Sequence, residues 1–413
     1  MTMLEHLDAT QKGLVAEIRS YLSHQLPALE RMDESDDFPA DLAQWMWDQG
    51  LLTLALPRAH GGAGSVRTLC AAVEELARFS GGLSLLCIAQ ATGALAVTLG
   101  GNGEQQARCF KSIRERHLIA FALSETRAGS DASSIATRII DRGDHYEVDG
   151  SKWFVTNGGV AQHYVVFGRH IFDGEEVGHS AVLIDKDTPG LAIAPKNDLF
   201  GMRGTPTTSI LMKKVRVPKD RLLGRVGEGF KLAMRTLDRS RPLIGAQAVG
   251  LGQAALDIAV KHCRKRIVFD KPLGNLDGVR LMLADMSVAV DASRLLVQRA
   301  AEAVDAGHPD ATQYSAGAKF FATDTALKVA VDAIQILGGY GCFRGRTPDR
   351  VLRDAKITQI YEGANQIQRL VVARQLLKSA ERAAGSAAPG GEGARSERAR
   401  PELFPVRVER QGT

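Results

Sequence analysis

The stretch Ile360-Tyr-Glu-Gly-Ala-Asn-Gln-Ile-Gln-Arg369 places one acid, Glu362, just before a helical pattern. Downstream, Ile367, Leu370, Val371, Arg374 and Leu377 recur at helical spacing and predict a last helix. Upstream, Ile357, Ile360 and Tyr361 surround the acid with apolar side chains. Burial among them raises a carboxyl pKa towards neutrality, which suits a general base. The N–H groups at the helix start are placed to polarise a carbonyl oxygen. An acid favoured there only by the helix macrodipole has the same local sequence, so this stretch alone leaves both readings open.

Working outward, helical patterns run around Phe230–Leu237, Ile244–Val268, Val279–Ala306 and Tyr314–Leu337. The last of these ends in Gln335-Ile-Leu-Gly-Gly-Tyr-Gly341, a glycine cluster beyond what a helix C-terminus needs. Between about Leu118 and Pro218 the pattern changes to short apolar or alternating runs such as HLIAFALS, HYEVDG, KWFVTNG and YVVFGRH. Gly-Asp, Asp-Gly and Pro-Gly pairs at 143–144, 149–150 and 189–190 read as turns between them. The first third is helical again, and its uncharged run Leu83–Leu99 reads as a buried core helix. Segregated classes of element predict an α+β fold. The expected domains are an N-terminal helical domain over 1–117, a central β-barrel-like domain over 118–226 and a C-terminal four-helix bundle over 227–378. The segment 379–413, rich in Ala, Gly, Ser, Arg and Glu, has the composition of a disordered tail.

The chain has 413 residues, 45% of them hydrophobic and 24% charged, with a formal charge of +5. It has no long basic run of the kind that binds nucleic acid, and no membrane span is expected. Its five cysteines are scattered without metal-ligand spacing, so no metal site is predicted and a reducing, cytoplasmic setting is the simplest reading.

Two stretches of the β unit carry further chemistry. Ala122-Leu-Ser-Glu-Thr-Arg-Ala-Gly-Ser-Asp131 runs from an apolar strand into hydroxyls and free N–H groups, which suit a flat polar ring and a phosphate or simply cap a turn. Lys152-Trp-Phe-Val-Thr-Asn-Gly158 offers two rings and a hydroxyl, as a wall for a planar cofactor or as core aromatics before a hairpin.

Together these stretches, with GMRGTPTTSILMKKVRVP (201–218), LDRSRPLIGAQAVGLGQAALD (237–257) and RDAKITQIYEGANQIQRLVVAR (353–374), resemble the acyl-CoA dehydrogenase family from about residue 5 to 378. The resemblance implies FAD held between the β domain and the bundle, in a homodimer or homotetramer whose neighbouring subunit completes the site. It implies that Leu123, Ser124, Phe154 and Thr156 contact the flavin ring and that Ser130 lies at its phosphate side. Arg266, Phe269, Gln335, Gly338 and Gly339 would hold the adenosine-diphosphate end across the interface, and Gln366 is a further cofactor contact. Ser130, Asp238, Arg241 and Gly363 are the implied substrate contacts. Glu362 matches the family's base, and the position used by relatives with a base elsewhere is Ser240. The implied reaction is α,β-dehydrogenation of an acyl-CoA, with electron-transfer flavoprotein as acceptor. Leu85, Leu86, Ile88, Ala89 and the Leu237–Ile244 segment are expected to set acyl-chain length.

Several positions depart from the family pattern. Phe154 stands where many relatives have tryptophan. Asp270 replaces a glycine, Asp277 a glutamine, Ala364 a threonine and Gly345 an acid. New acids near a pyrophosphate are expected to weaken FAD retention. Arg344, Arg346, Arg350, Arg353 and Lys213-Lys214 add cations that suit either a CoA phosphate or the acidic surface of an acyl carrier protein, so carrier-protein thioesters are the alternative substrate. A flavin monooxygenase or oxidase on the same fold is the second alternative, and a non-catalytic interaction subunit the third; Glu362 argues against the oxygen-using enzymes.

Overall fold

The computed structural model describes residues 7–344 and 347–386. Six helices open the chain: α1 (Ala9–Ser23), α2 (Leu26–Ser35), α3 (Ala40–Asp48), α4 (Val66–Phe79), α5 (Gly81–Gly100) and α6 (Gly103–Arg114). Their starts follow capping chemistry. Asp8 with Gln11, and Asn102 with Gln105, form reciprocal capping boxes, while Ser80 both ends α4 and caps α5. Helix α5 is apolar on every side because protein covers it on every side; 89% of its apolar window is buried, as a core helix requires. At Gly93 a side chain would meet Ile119 at 2.8 Å, so the missing Cβ is what lets the first strand lie against α5.

That strand, β1 (Leu118–Ala122), is followed by β2 (Arg138–Asp141), β3 (His145–Thr156), β4 (Ala161–Phe172), β5 (Glu175–Asp185), β6 (Leu191–Ile193), β7 (Thr207–Pro218) and β8 (Leu222–Leu223). They form one eight-stranded sheet in the order β6-β7-β3-β2-β4-β5-β8, with β1 parallel to β4 off that path. Expected to be barrel-like, the sheet follows a hydrogen-bonded path that does not close on itself among the described residues. The Asp149-Gly150 pair, expected as a turn, lies inside one twelve-residue strand. There Gly150 (φ +146°) marks a register shift against β7, and a Cβ would strike Thr137 at 2.6 Å. A second shift lies between Lys152 and Val155.

The rest is helical: α7 (Gly229–Lys265), the short hairpin β9 (Ile267–Val268) and β10 (Lys271–Pro272), then α8 (Asp277–Asp305), α9 (Ala311–Leu337), α10 (Thr347–Thr358) and α11 (Asn365–Ser386). The patterns expected as two segments around Pro242 are one helix of 37 residues, α7, which packs against α4, α5, α8, α9 and α10. Helix α11 continues to Ser386, so the tail expected to be disordered from 379 begins as helix; residues 387–413 lie outside the described residues. Residues Met1–Gln375 and Leu376–Thr413 divide into two compact units, and every candidate site residue lies in the first.

Candidate active site

Glu362 sits in the turn between α10 and α11 with a left-handed backbone (φ +52°), followed by Gly363 (φ +95°). Two hydroxyls from distant elements reach its carboxylate. Ser240 on α7 donates to Oε2 at 2.5 Å, and Thr92 Oγ1 on α5 lies 3.3 Å from Oε1 and 2.8 Å from the Ile88 carbonyl. Burial raises the Glu362 pKa. The Ser240 hydrogen bond, the Arg241 charge, the Thr92 hydrogen bond and the Lys319 charge offset part of that rise. As a whole residue Glu362 is half-buried. The expected apolar shell needs correction at one residue: Ile357 and Tyr361 pack on the core, but Ile360 is 58% exposed.

The turn is gripped by its carbonyls. The Glu362 oxygen accepts from Arg241 Nε at 3.2 Å and Gln368 Nε2 at 3.4 Å. The Gly363 oxygen accepts from Lys319 Nζ at 2.9 Å and Gln368 Nε2 at 3.2 Å. The Glu362 N–H has no acceptor among the described residues and remains available to a ligand oxygen. Arg241 also binds Asp238, which accepts from Thr312 at 2.7 Å. Of the expected substrate contacts, Asp238, Arg241 and Gly363 therefore gather at Glu362. Ser130, exposed on the loop after β1, makes no hydrogen bond to them.

A second group forms around that loop. Lys152, wholly buried on β3, donates to the Leu123 carbonyl at 3.0 Å and to Glu125 at 2.6 Å. Glu125 in turn accepts from the N–H groups of Ala136 and Thr137 at 2.6 and 3.0 Å, which clamps the loop at both ends. Burial lowers the Lys152 pKa to about 8 despite Glu125 beside it. Trp153 N donates to the Ser124 carbonyl at 2.9 Å. The β3 register shift turns Phe154 outward at φ +57°, 63% exposed beside Trp153 at 37%. These rings are not core aromatics. Thr156 Oγ1 lies 3.4 Å from Thr207 Oγ1. An exposed ring held in a conformation that costs about 1–3 kcal/mol, two residues from the Thr156 hydroxyl, fits a planar ligand better than bare solvent. The residues present therefore fit a flavin ring.

The remaining candidates lie in a third group and one outlier. Arg266, just past α7, stacks 5.6 Å from the Tyr340 ring, beside Gly338 (φ +59°) and Gly339 at the end of α9; no atom lies within 4 Å of where a Cβ would be on either glycine. Gln335 belongs to the last turn of α9. Phe269 is 85% exposed at the tip of the β9–β10 hairpin, in a left-handed conformation that Asp270 shares (φ +49° and +58°). Aspartate tolerates that conformation better than most residues, which accounts for Asp270 where glycine is usual. Asp277 is paired with Arg280 at 3.3 Å. Gln366, on the first turn of α11, lines a cavity of about 500 Å³ with Ala364, Ile360 and Arg369.

The arginine-rich segment is not the free basic face it resembled. Arg350 is buried and donates to the Phe79 carbonyl at 2.8 Å, and Arg353 binds Asp33 at 2.6 and 3.2 Å. Arg344 is exposed, and Arg346 and Gly345 lie outside the described residues. Sequence reasoning did not assign Thr92, Lys319, Gln368 or Asn365 to the site. The signal for two of them is present: a threonine in the apolar run of α5 and a lysine in the apolar run of α9.

Comparison with known proteins gives matches to three family descriptions. These are "Acyl-CoA dehydrogenase, N-terminal domain" over residues 8–115, "middle domain" over 120–215 and "C-terminal domain" over 227–377. The chain is 42% identical to the cyclohexane-1-carbonyl-CoA dehydrogenase of Geobacter metallireducens over 357 residues, 86% of this chain and 93% of that one. Among solved structures, it matches the butyryl-CoA dehydrogenase of Megasphaera elsdenii with TM-score 0.86 at 34% identity, covering 91% of this chain and 100% of that one. A chain from a structure described as the electron transferring flavoprotein of Acidaminococcus fermentans matches with TM-score 0.87 at 36% identity, covering 91% and 100%.

Proposed function

The chain belongs to the acyl-CoA dehydrogenase family, and from that membership and the surroundings of Glu362 we propose that it converts an acyl-CoA to the 2-enoyl-CoA with Glu362 as the base. The observation that carries the assignment is the carboxylate itself: raised in pKa by burial, and aimed by the Ser240 hydroxyl from a turn whose carbonyls are held. A carboxylate so placed takes the α-proton. The developing enolate oxygen is stabilised by the Glu362 N–H, which has no acceptor within the described chain. Arg241 and Lys319 occupy the two carbonyls of the turn as donors.

FAD supplies the acceptor for the β-hydrogen and its electron pair. We assign Leu123, Ser124, Phe154 and Thr156 to its ring, with Ser130 at the phosphate side and Gln366 as a further contact. Arg266, Phe269, Gln335, Gly338 and Gly339 form a separate, exposed group suited to a second copy's cofactor, so the enzyme is proposed to be a homo-oligomer. The domain division at 1–117, 118–226 and 227–378 is retained as a working one. Electron-transfer flavoprotein is the proposed acceptor. A cytoplasmic setting accords with five free cysteines, four of them buried. CoA is preferred over a carrier protein as the acyl carrier because the matched relatives are named for acyl-CoA substrates; Arg350 and Arg353, committed within the chain, favour neither carrier.

The test is anaerobic bleaching of flavin absorbance by butyryl-, cyclohexane-1-carbonyl- and glutaryl-CoA, with the same acyl groups on a carrier protein. Bleaching by an acyl-CoA that is lost in Glu362→Gln supports the proposal. A flavin-loaded protein inert to both panels refutes it.

A further inference from the structure

Lys319 is the least expected charge in the molecule: fully buried on α9, with an ammonium group that meets two neutral acceptors. These are the Gly363 carbonyl at 2.9 Å and Asn365 Oδ1 at 3.0 Å. The first belongs to the turn that carries Glu362, and the second opens α11 directly after it. An ammonium without a bonded carboxylate is costly inside a protein, and apolar residues fill such a position more cheaply where only packing is needed.

The backbone explains what the charge is for. Glu362 and Gly363 are consecutive left-handed residues, and a non-glycine residue holds that conformation only where its surroundings impose it. Arg241 and Gln368 hold the first carbonyl, and Lys319 and Gln368 the second. Arg241 shares its charge with Asp238, so Lys319 is the cation near Glu362 that is not bonded to an acid. Asn365 extends the grip. It accepts from Lys319 and from Thr323 Oγ1 at 3.1 Å, and its amide donates to Asp324 at 2.7 Å, which ties the start of α11 to α9.

Resting on the reading of Glu362 as the base, we propose that Lys319 is a positioning residue: it fixes the Glu362–Gly363 peptide so that the carboxylate and the Glu362 N–H address one substrate at once, and it places a positive charge beside the acid. The groups that face it are Glu362 from the turn, Asn365 from the start of α11, Arg241 from α7 and Asp324 from its own helix. Burial, partly offset by Glu362, brings its pKa down to about 7, so the charge that aims the base is itself close to titrating.

The experiment compares wild type, Glu362→Gln, Lys319→Met and Lys319→Gln as flavin-loaded proteins. Measured for each are flavin content, melting temperature, affinity for an unreactive acyl-CoA analogue, and the pH profile of the single-turnover flavin reduction rate. Lys319→Met keeps most of the unbranched apolar stem, and Lys319→Gln keeps an N–H donor group without the charge. The expected result for Lys319→Met is analogue affinity within about threefold of wild type and a reduction rate per bound flavin down about 100-fold, or about 2.7 kcal/mol. Its acid limb should move to higher pH by at least half a unit. Lys319→Gln should recover part of the rate but not the position of the limb. A rate per bound flavin equal to wild type, or an acid limb that stays in place, overturns the proposal. Failure of both variants to fold also overturns it, because the lysine would then be structural. An inert wild type, or a Glu362→Gln variant as fast as wild type, sinks the function proposed above and is told apart from these outcomes by the controls.

Discussion

Replacing Ser240 by alanine isolates one contribution to the acidity of Glu362. The Ser240 hydroxyl lies 2.5 Å from Oε2 and 3.3 Å from the Leu237 carbonyl, so its single hydrogen serves the carboxylate. The side chain is fully buried, and no water replaces it without rearrangement. A hydrogen bond to a charged group contributes roughly 1.5–3 kcal/mol. Because Glu362 is half-buried as a residue, solvent screens part of this, and about half remains. At about 1.4 kcal/mol per pKa unit, the already raised pKa should climb by about one further unit. The base must be ionised to act, so reduction should slow about tenfold below the midpoint and stay within about twofold well above it. Stopped-flow flavin reduction across pH with a fixed acyl-CoA reads this directly. An acid limb that stays put, or moves down, would refute the reasoning, as would a uniform loss at every pH.

Three further outcomes are expected. Glu362 has a raised pKa in the folded state, so the folded protein holds the proton to higher pH than the unfolded chain and loses stability as pH rises through that window. Glu362→Gln should therefore melt higher than wild type, by a margin that widens from pH 4 to pH 8 in calorimetry, while flavin reduction by acyl-CoA is abolished. Lys152→Met breaks a buried pair and should cost about 3–5 kcal/mol in denaturant titration. It should also lower flavin content, because the loop bearing Leu123 and Ser124 loses its clamp. Gly363→Ala meets a left-handed backbone, and its Cβ would stand 2.2 Å from Gln368 Nε2. It should destabilise by about 1–3 kcal/mol and lose more activity than stability, read as kcat beside melting temperature.

Much of the architecture was legible because it rests on local pattern. The apolar run of α5, the helical spacing after Glu362 and the short alternating runs of the β unit each report burial through periodicity. What stayed hidden depends on partners far along the chain. Arg353 reads as surface charge until Asp33, 320 residues away, is seen to bind it, and the Thr92–Glu362 contact spans 270 residues. Gly150 misled because glycine after aspartate marks a turn and a bulge alike, and pairing with β7 decides between them. Pro242 misled because proline usually ends a helix, whereas packing on five neighbours carries α7 through it. At Glu362 the acid itself was legible, but the hydroxyls and the lysine that aim it were not, since nothing local links α5, α7 and α9 to that turn.

Helix α7 has one more consequence. It carries Ser240 and Arg241 near its middle and delivers Arg266 immediately past its last residue, Lys265. The intervening span of α7 works as a drive shaft between Ser240 and Arg266. One residue inserted between Pro242 and Lys265 would swing Arg266 about 100° around the axis and advance it about 1.5 Å, while leaving the Ser240–Glu362 contact untouched. Along this stretch the number of residues fixes the bearing of Arg266 relative to Ser240.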